Sequence, residues 1–399
     1  MPTLTTVRSA VKEFDFAEYE SADTLKRRLG DFLAKREFSE WMKGLDTSVS
    51  FAKVNEAINA KSKEIEAHYG ATVDSASNWR TNGNERFGNY QDRETNKRIL
   101  IPSGFVEIDK SITGKVGGAF TKGDYIVFYG ATKRGKSHLV RKATTLPAVR
   151  AGYRVLDLCL ENERAEIEFM LDSMESADHG VSEINIEGAK VTGGFDRKKL
   201  AFGYLDPEQR TMYADWTGSF DESNDKYGDY LIKTFEDEDM DKVDIWKIKS
   251  LIQEHKPDML LVDPIYLTTY PSSSDKTPGA GAQAMSRALR RLATQLGLVI
   301  VVTVQATLDD GAVDDEAEEL KVPPLKDVKS SKALLEDGTI TFGIDSNRQG
   351  KALVEIMLSR KGGAGAKIDL QFFPNYGICR SYDEAIRANM ERIKATKLF

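Results

Sequence analysis

Cysteine is almost missing from this 399-residue chain: Cys159 and Cys379 are the only two, and they lie far apart. Two such residues build neither a cysteine zinc ribbon nor a disulfide framework. The simplest setting is reducing and cytoplasmic, the host cytoplasm if the chain is viral. The four histidines, His68, His138, His179 and His255, show no metal-ligand spacing. No apolar run approaches the length of a membrane span, and residues 1–16 carry no signal-peptide pattern, so no membrane role is expected. Excess basic charge is also lacking, since 56 Lys and Arg stand against 63 Asp and Glu, for a net charge of −7. Such a balance does not announce nucleic-acid binding, and leaves it to local basic loops. There is no internal repeat. What remains, 40% hydrophobic and 30% charged, is a soluble globular composition with room for two or three domains.

The most informative stretch is Gly130-Ala131-Thr132-Lys133-Arg134-Gly135-Lys136-Ser137. It has the form G-x-x-x-x-G-K-[ST]. An apolar run rich in β-formers precedes it (residues 124–129), and a helix-compatible segment follows from His138 to residue 149. Strand, glycine loop and helix together make the pattern a phosphate-binding loop. The glycines let backbone N–H groups converge on phosphates, and the helix N-terminus adds positive potential there. Residues 130–138 are thus the expected nucleotide-binding segment. Lys136 reaches the β- and γ-phosphates, and Ser137 is a ligand for Mg²⁺.

Along the chain, residues 1–20 read as a loose arm. Residues 22–44 and 51–69 have helical periodicity and read as a small module, either a lid or a partner-docking element. Residues 75–98, rich in turn formers, read as a linker. We therefore expect an N-terminal arm and helical module at 1–74, a linker at 75–98 and one large domain at 99–399. In that domain short apolar runs alternate with helical patterns, which predicts an α/β fold with a mainly parallel sheet. Strands are expected at 125–129, 154–160, 259–262, 298–304, 340–344, 353–358 and 368–373. Residues 180–230 read as a polar, partly flexible insertion. Ser381 with Glu384 forms a capping box for a terminal helix.

Three further residues fall at the carboxyl ends of predicted strands, where open α/β sheets place their ligands. Asp263 follows a buried-type strand and suits a metal-side carboxylate, with a turn Asp before Pro264 as the alternative. Glu161 can polarise an attacking water, with Glu163 as its competitor. Gln305 can bond a γ-phosphate or simply cap the core.

These residues carry a resemblance. The segments 123–137, 158–161, 259–263 and 302–305 resemble the RecA-type ATPase core. In order and spacing they look most like the DnaB-type replicative helicases, including those of bacteriophages. The lead-in Ile101-Pro-Ser-Gly-Phe-Val-Glu-Ile-Asp109, then Gly117 and Gly118, is similar to the family's, as are residues 288–293, 354–362 and 370–376. The resemblance spans roughly 101–380. It implies a RecA-like P-loop core, ATP and Mg²⁺ as cofactors, and a homo-hexameric ring that translocates 5′→3′ on single-stranded DNA, with a primase or helicase loader as further partners. It also implies a basic finger that reaches the neighbouring subunit's γ-phosphate. The family places two basic residues one apart, whereas here Arg360 and Lys361 are adjacent. Arg360 is favoured because a guanidinium bridges two phosphate oxygens, and a solvated turn cation is the alternative. The family's DNA-facing loops would follow Glu161 and Gln305. Lys326, Lys329 and Lys332 are then candidate phosphate contacts, with residues 197–199 as a weaker second patch.

Two features depart from the family. The N-terminal portion matches none of its helical domains, and residues 176–230 are longer and more polar than its core. Missing cysteines argue against a fused zinc-finger primase. Two other functions fit the same core: a RecA/KaiC-like ATPase of recombination or repair, and an ATP-gated assembly protein.

Overall fold

The computed structural model describes residues 22–46, 48–69, 79–95, 100–186, 189–220, 226–270, 280–306, 319–328 and 332–382. The expected arm at 1–20, Lys329 and the terminal helix beyond Tyr382 lie outside them. The chain divides into two compact units, Met1–Thr95 and Asn96–Phe399.

The first unit contains the helices α1 (Ala22–Lys43), α2 (Phe51–Tyr69) and α3 (Gly83–Thr95). Lys61 joins α2 to α1 through Glu37, 2.8 Å away. Helix α3 falls in the stretch read as a linker. Its turn formers hid it, yet Glu85 in the first turn and Arg93 in the last suit the helix dipole. No described residue of α3 is buried, and Trp79, Phe87 and Tyr90 are exposed.

The second unit is built on nine strands. In chain order they are β1 (Tyr125–Ala131), β2 (Val155–Cys159), β3 (Tyr230–Thr234), β4 (Met259–Asp263), β5 (Val299–Ala306), β6 (Ile340–Ser346), β7 (Lys351–Ser359), β8 (Lys367–Phe373) and β9 (Ile378–Ser381). Their order across the sheet is β9-β8-β7-β6-β1-β5-β4-β2-β3. The six strands from β6 to β3 are parallel, and β6 to β9 form an antiparallel meander. The expected mainly parallel sheet is therefore present.

Strand β1 is buried along its whole length because core lies on both faces. Ile126 and Phe128 enter one cluster with Leu139, Ala143 and Phe342. Tyr125, Val127 and Tyr129 enter the other with Leu289, Leu292 and Ile248. Phe128 stacks on Phe342 with ring centroids 4.6 Å apart.

Two strands of this sheet escaped the sequence reading. Edge strand β3 is only half-buried over most of its length, so it lacks the continuous apolar run of its neighbours. Strand β9 takes Ser381, which had read as a helix cap, into the sheet opposite Leu370. The described part of the insertion forms a hairpin (Ser182–Ile186 with Ala189–Gly193), then helices Arg197–Phe202 and Pro207–Gly218. Asp196 and Asp206 cap those helices, accepting from the amides of Lys199 and Gln209.

Candidate active site

The turn after β1 carries Lys133 and Gly135 at positive φ, 62° and 71°. Gly135 is also the closest approach of the loop to β8: a Cβ there would lie 2.5 Å from the Phe372 ring. Glycine answers both demands. Gly135 then caps the helix that starts at Lys136, so the loop amides and the helix N-terminus face one cleft.

That cleft has a volume of about 720 Å³. Thr132, Lys133, Gly135, Lys136, Ser137 and His138 line it from the loop, and Glu161 and Gln305 line it from the ends of β2 and β5. Strand register explains the gathering. Cys159 pairs with Asp263, and Gly130 pairs with Gln305, so the carboxyl ends of β1, β2, β4 and β5 stand level. Glu163 sits at the cap of the helix Arg164–Asp178 and is not among the cleft residues.

Lys136 folds back to the loop, its Nζ donating to the Gly130 carbonyl at 3.3 Å. Burial lowers its pKa, against the opposing pull of Asp263 and Glu161. A largely desolvated ammonium of this kind would gain from an anionic ligand.

Asp263 is buried at the end of β4. Thr303 donates to its Oδ1 at 2.5 Å and Arg141 donates to its Oδ2 at 2.8 Å, and the Ser137 hydroxyl is near enough to favour its charged form. Burial works to raise the carboxyl, but Arg141, Thr303 and Ser137 together hold it below the usual range. A serine hydroxyl close to a carboxylate beside the glycine loop is an all-oxygen donor set. It fits Mg²⁺, which keeps waters and phosphate oxygens as its other ligands. Among the described residues there is no cluster of three or more His, Cys, Asp or Glu that would make a protein-only cage.

Other called residues are placed differently. Gly130 and Ala131 end β1, and the Arg134 side chain turns away from the cleft to Asp345, 3.5 Å away, and the Ser346 carbonyl. Only its backbone remains for a phosphate. Arg360 and Lys361 follow β7 and do not line the cleft. Lys326 is exposed, and Lys332 opens the short helix Lys332–Glu336.

Sequence reasoning missed the cleft's far wall. Phe372, Phe373, Pro374, Asn375 and Tyr376 form it, with Arg197 from the insertion. His138 stands 3.3 Å from Arg197 through Nε2 and bonds the Pro374 backbone. Burial, Arg197 and Arg141 depress its pKa to about 3, so the imidazole is neutral. The Lys198 amide donates to Asn375 at 3.1 Å and fixes the insertion to this wall. The aromatic run Phe372-Phe373-Pro374-Asn375-Tyr376 was the only available signal. Tyr266, also missed, bonds the Gln305 side chain; burial, then Glu161 and Asp263, push its phenol up to about 12.

Among the solved structures of similar fold are two from helicases. The ATPase domain of a phage helicase matches with a TM-score of 0.56 at 18% identity, over 75% of this chain and 98% of its own. A DnaB-like replicative helicase, solved with its interactions with primase, matches with a TM-score of 0.59 at 17% identity, over 90% of this chain and 80% of its own. The fold is that of the DnaB-like helicases. No protein-family model matches the sequence, and neither does any curated protein. The cleft lies at the carboxyl ends of β1, β2, β4 and β5, where open α/β sheets place their ligands. No helix among the described residues is long and apolar enough to cross a membrane.

Proposed function

We propose that this chain is an ATP-driven replicative DNA helicase, acting as a hexameric ring that moves 5′→3′ on single-stranded DNA. The observation that carries the reading is the meeting of the Lys136 loop, Ser137, Glu161 and Gln305 along one cleft of a DnaB-like fold, with the buried Asp263 beside Ser137. Each has a part in phosphoryl transfer to water. The loop amides and Lys136 hold the β- and γ-phosphates. Ser137 and Asp263 would hold Mg²⁺, which when bound supplies charge neutralisation at the bridging oxygens. Glu161, exposed to the cleft, accepts the proton of the attacking water. Gln305 bonds the γ-phosphate, and its position at the end of β5 links that bond to the chain that follows.

Arg360 completes the site from a neighbouring subunit, and Lys326, Lys329 and Lys332 grip DNA phosphates. A primase is the partner to test, by likeness to the neighbour solved with its primase interactions, and the cytoplasm is the expected place of work. The test is a forked duplex with a 5′ tail, together with ATP turnover with and without single-stranded DNA. Stimulated turnover and unwinding from the 5′ tail support the proposal. Filaments with strand exchange and no unwinding would move the protein to a recombinase.

A further inference from the structure

Behind the nucleotide cleft lies a buried charge cluster that phosphate chemistry does not require. Arg141 is completely buried. It forks onto Asp157, with Nε to Oδ2 at 2.8 Å and Nη2 to Oδ1 at 3.0 Å. Its remaining Nη1 donates to Asp263 Oδ2 at 2.8 Å and to the Ser137 carbonyl at 3.1 Å. Asp157 is buried on β2 and also accepts from the Tyr230 hydroxyl at 2.8 Å, which in turn lies 3.0 Å from Thr145. One cation thus serves two carboxylates in the interior. The helix accommodates this with a π-helical turn at Arg141–Thr145, between the α-helical segments Lys136–Val140 and Leu146–Arg150. Such turns are rare and concentrate at functional sites.

The cation competes with a metal. Every hydrogen bond that Asp263 Oδ2 accepts from Arg141 is electron density withheld from a divalent ion. Asp157 offsets this by taking the two-pronged share of the guanidinium. We propose that Arg141 is a positioning residue for the metal side of the site, and that Asp157, steadied by Tyr230, sets how strongly Asp263 engages a divalent cation. The proposal rests on the reading of Asp263 as the metal-side carboxylate.

The experiment titrates Mn²⁺ into the ADP-bound full chain and reads free Mn²⁺ by electron paramagnetic resonance. ADP affinity is measured separately in the presence of EDTA. Asp157→Asn leaves Arg141 wholly to Asp263, so Mn²⁺ binding should weaken roughly tenfold while metal-free ADP affinity is unchanged. Adding Arg141→Gln to that variant removes the competitor, and Mn²⁺ affinity should return at least to the wild-type value. Tyr230→Phe is the milder variant, and it decides the matter if Asp157→Asn does not fold. Without the hydroxyl, Asp157 leans harder on Arg141 and draws it from Asp263, so Mn²⁺ should bind more tightly. Asp263→Asn is the control: if it leaves Mn²⁺ binding intact, the metal-side reading itself is wrong. If Asp263→Asn weakens binding but Asp157→Asn or Tyr230→Phe leaves it unchanged, the coupling through Arg141 is overturned. A loss of metal-free ADP affinity equal to the loss of Mn²⁺ affinity overturns it too, because that pattern marks a merely structural role.

Discussion

Lys361 is tied to Asp124: its Nζ lies 2.5 Å from the buried Oδ2, and it also bonds Thr121. Its neighbour Arg360 is exposed, with one guanidinium nitrogen 3.2 Å from the Glu336 carbonyl. The adjacent cations therefore have different work. Lys361 holds the start of β1 to the end of β7, and Arg360 faces outward.

Arg360→Ala should leave nucleotide binding intact and cut ATP hydrolysis, by on the order of 10³-fold if it acts as a full finger in trans. Lys361→Ala should instead lower stability by about 1.5–3 kcal/mol, since a buried carboxylate loses a charged donor. Mixed rings of Arg360→Ala and Lys136→Ala subunits should regain some turnover, because one interface then pairs an intact loop with an intact finger. Rings verified as mixed that show no recovery would place Arg360 outside the trans role.

At the cleft itself, Lys136→Ala should lower phosphate release by at least about 10²-fold through loss of the charge on the β- and γ-phosphates. Glu161→Gln should keep ATP binding and lose hydrolysis, while Glu163→Gln stays active. The reverse pattern would show that the helix-capping carboxylate, not the cleft carboxylate, orients the water.

Asp178 clamps the phosphate-loop helix through Lys142 and through Arg150, 2.5 Å away. Burial works to raise its pKa, but Lys142 and Arg150 outweigh burial and hold the carboxyl below its usual range. A depressed carboxylate stabilises the fold above its unfolded pKa of about 4, and this contribution is lost as pH falls through the folded value. Asp178→Asn should therefore lower the thermal midpoint at pH 7, with the gap to wild type closing toward pH 3. A gap that does not change with pH would show that packing, rather than charge, holds this corner.

Replacing Lys326, Lys329 and Lys332 together with glutamine should weaken single-stranded DNA binding and abolish its stimulation of turnover, with basal hydrolysis retained. Three fewer phosphate contacts should flatten the slope of log affinity against log salt by about 2. An unchanged slope would move the DNA contact elsewhere, with residues 197–199 the next to test: Arg197 lines the cleft, whereas Lys198 is exposed and only its backbone amide is fixed to the wall.

Much of the site was legible in the chain because it depends on local pattern. A glycine loop between a buried strand and a helix can be read directly, since φ, backbone donors and helix start are all set within eight residues. Asp263, Glu161 and Gln305 were legible because each ends or follows a hydrophobic run, and parallel strands align their carboxyl ends. The edge strand β3 and helix α3 were not, because one is half-buried and the other buries nothing, and strand β9, though mostly buried, is only four residues long and too short to show a period.

By itself, then, the sequence determined the chemistry on offer: a glycine loop with its lysine, and carboxylates at strand ends. Tertiary structure alone decided which charges that chemistry can use. Arg134, inside the loop motif, is committed to β6, whereas Arg197, 63 residues further along by the numbering, lines the cleft. Lys361 is bound to Asp124, and Arg141 to Asp157 and Asp263. The reason is physical. A side chain's type is written locally, but a buried charge is stable only beside partners that strand order brings to it from distant parts of the chain.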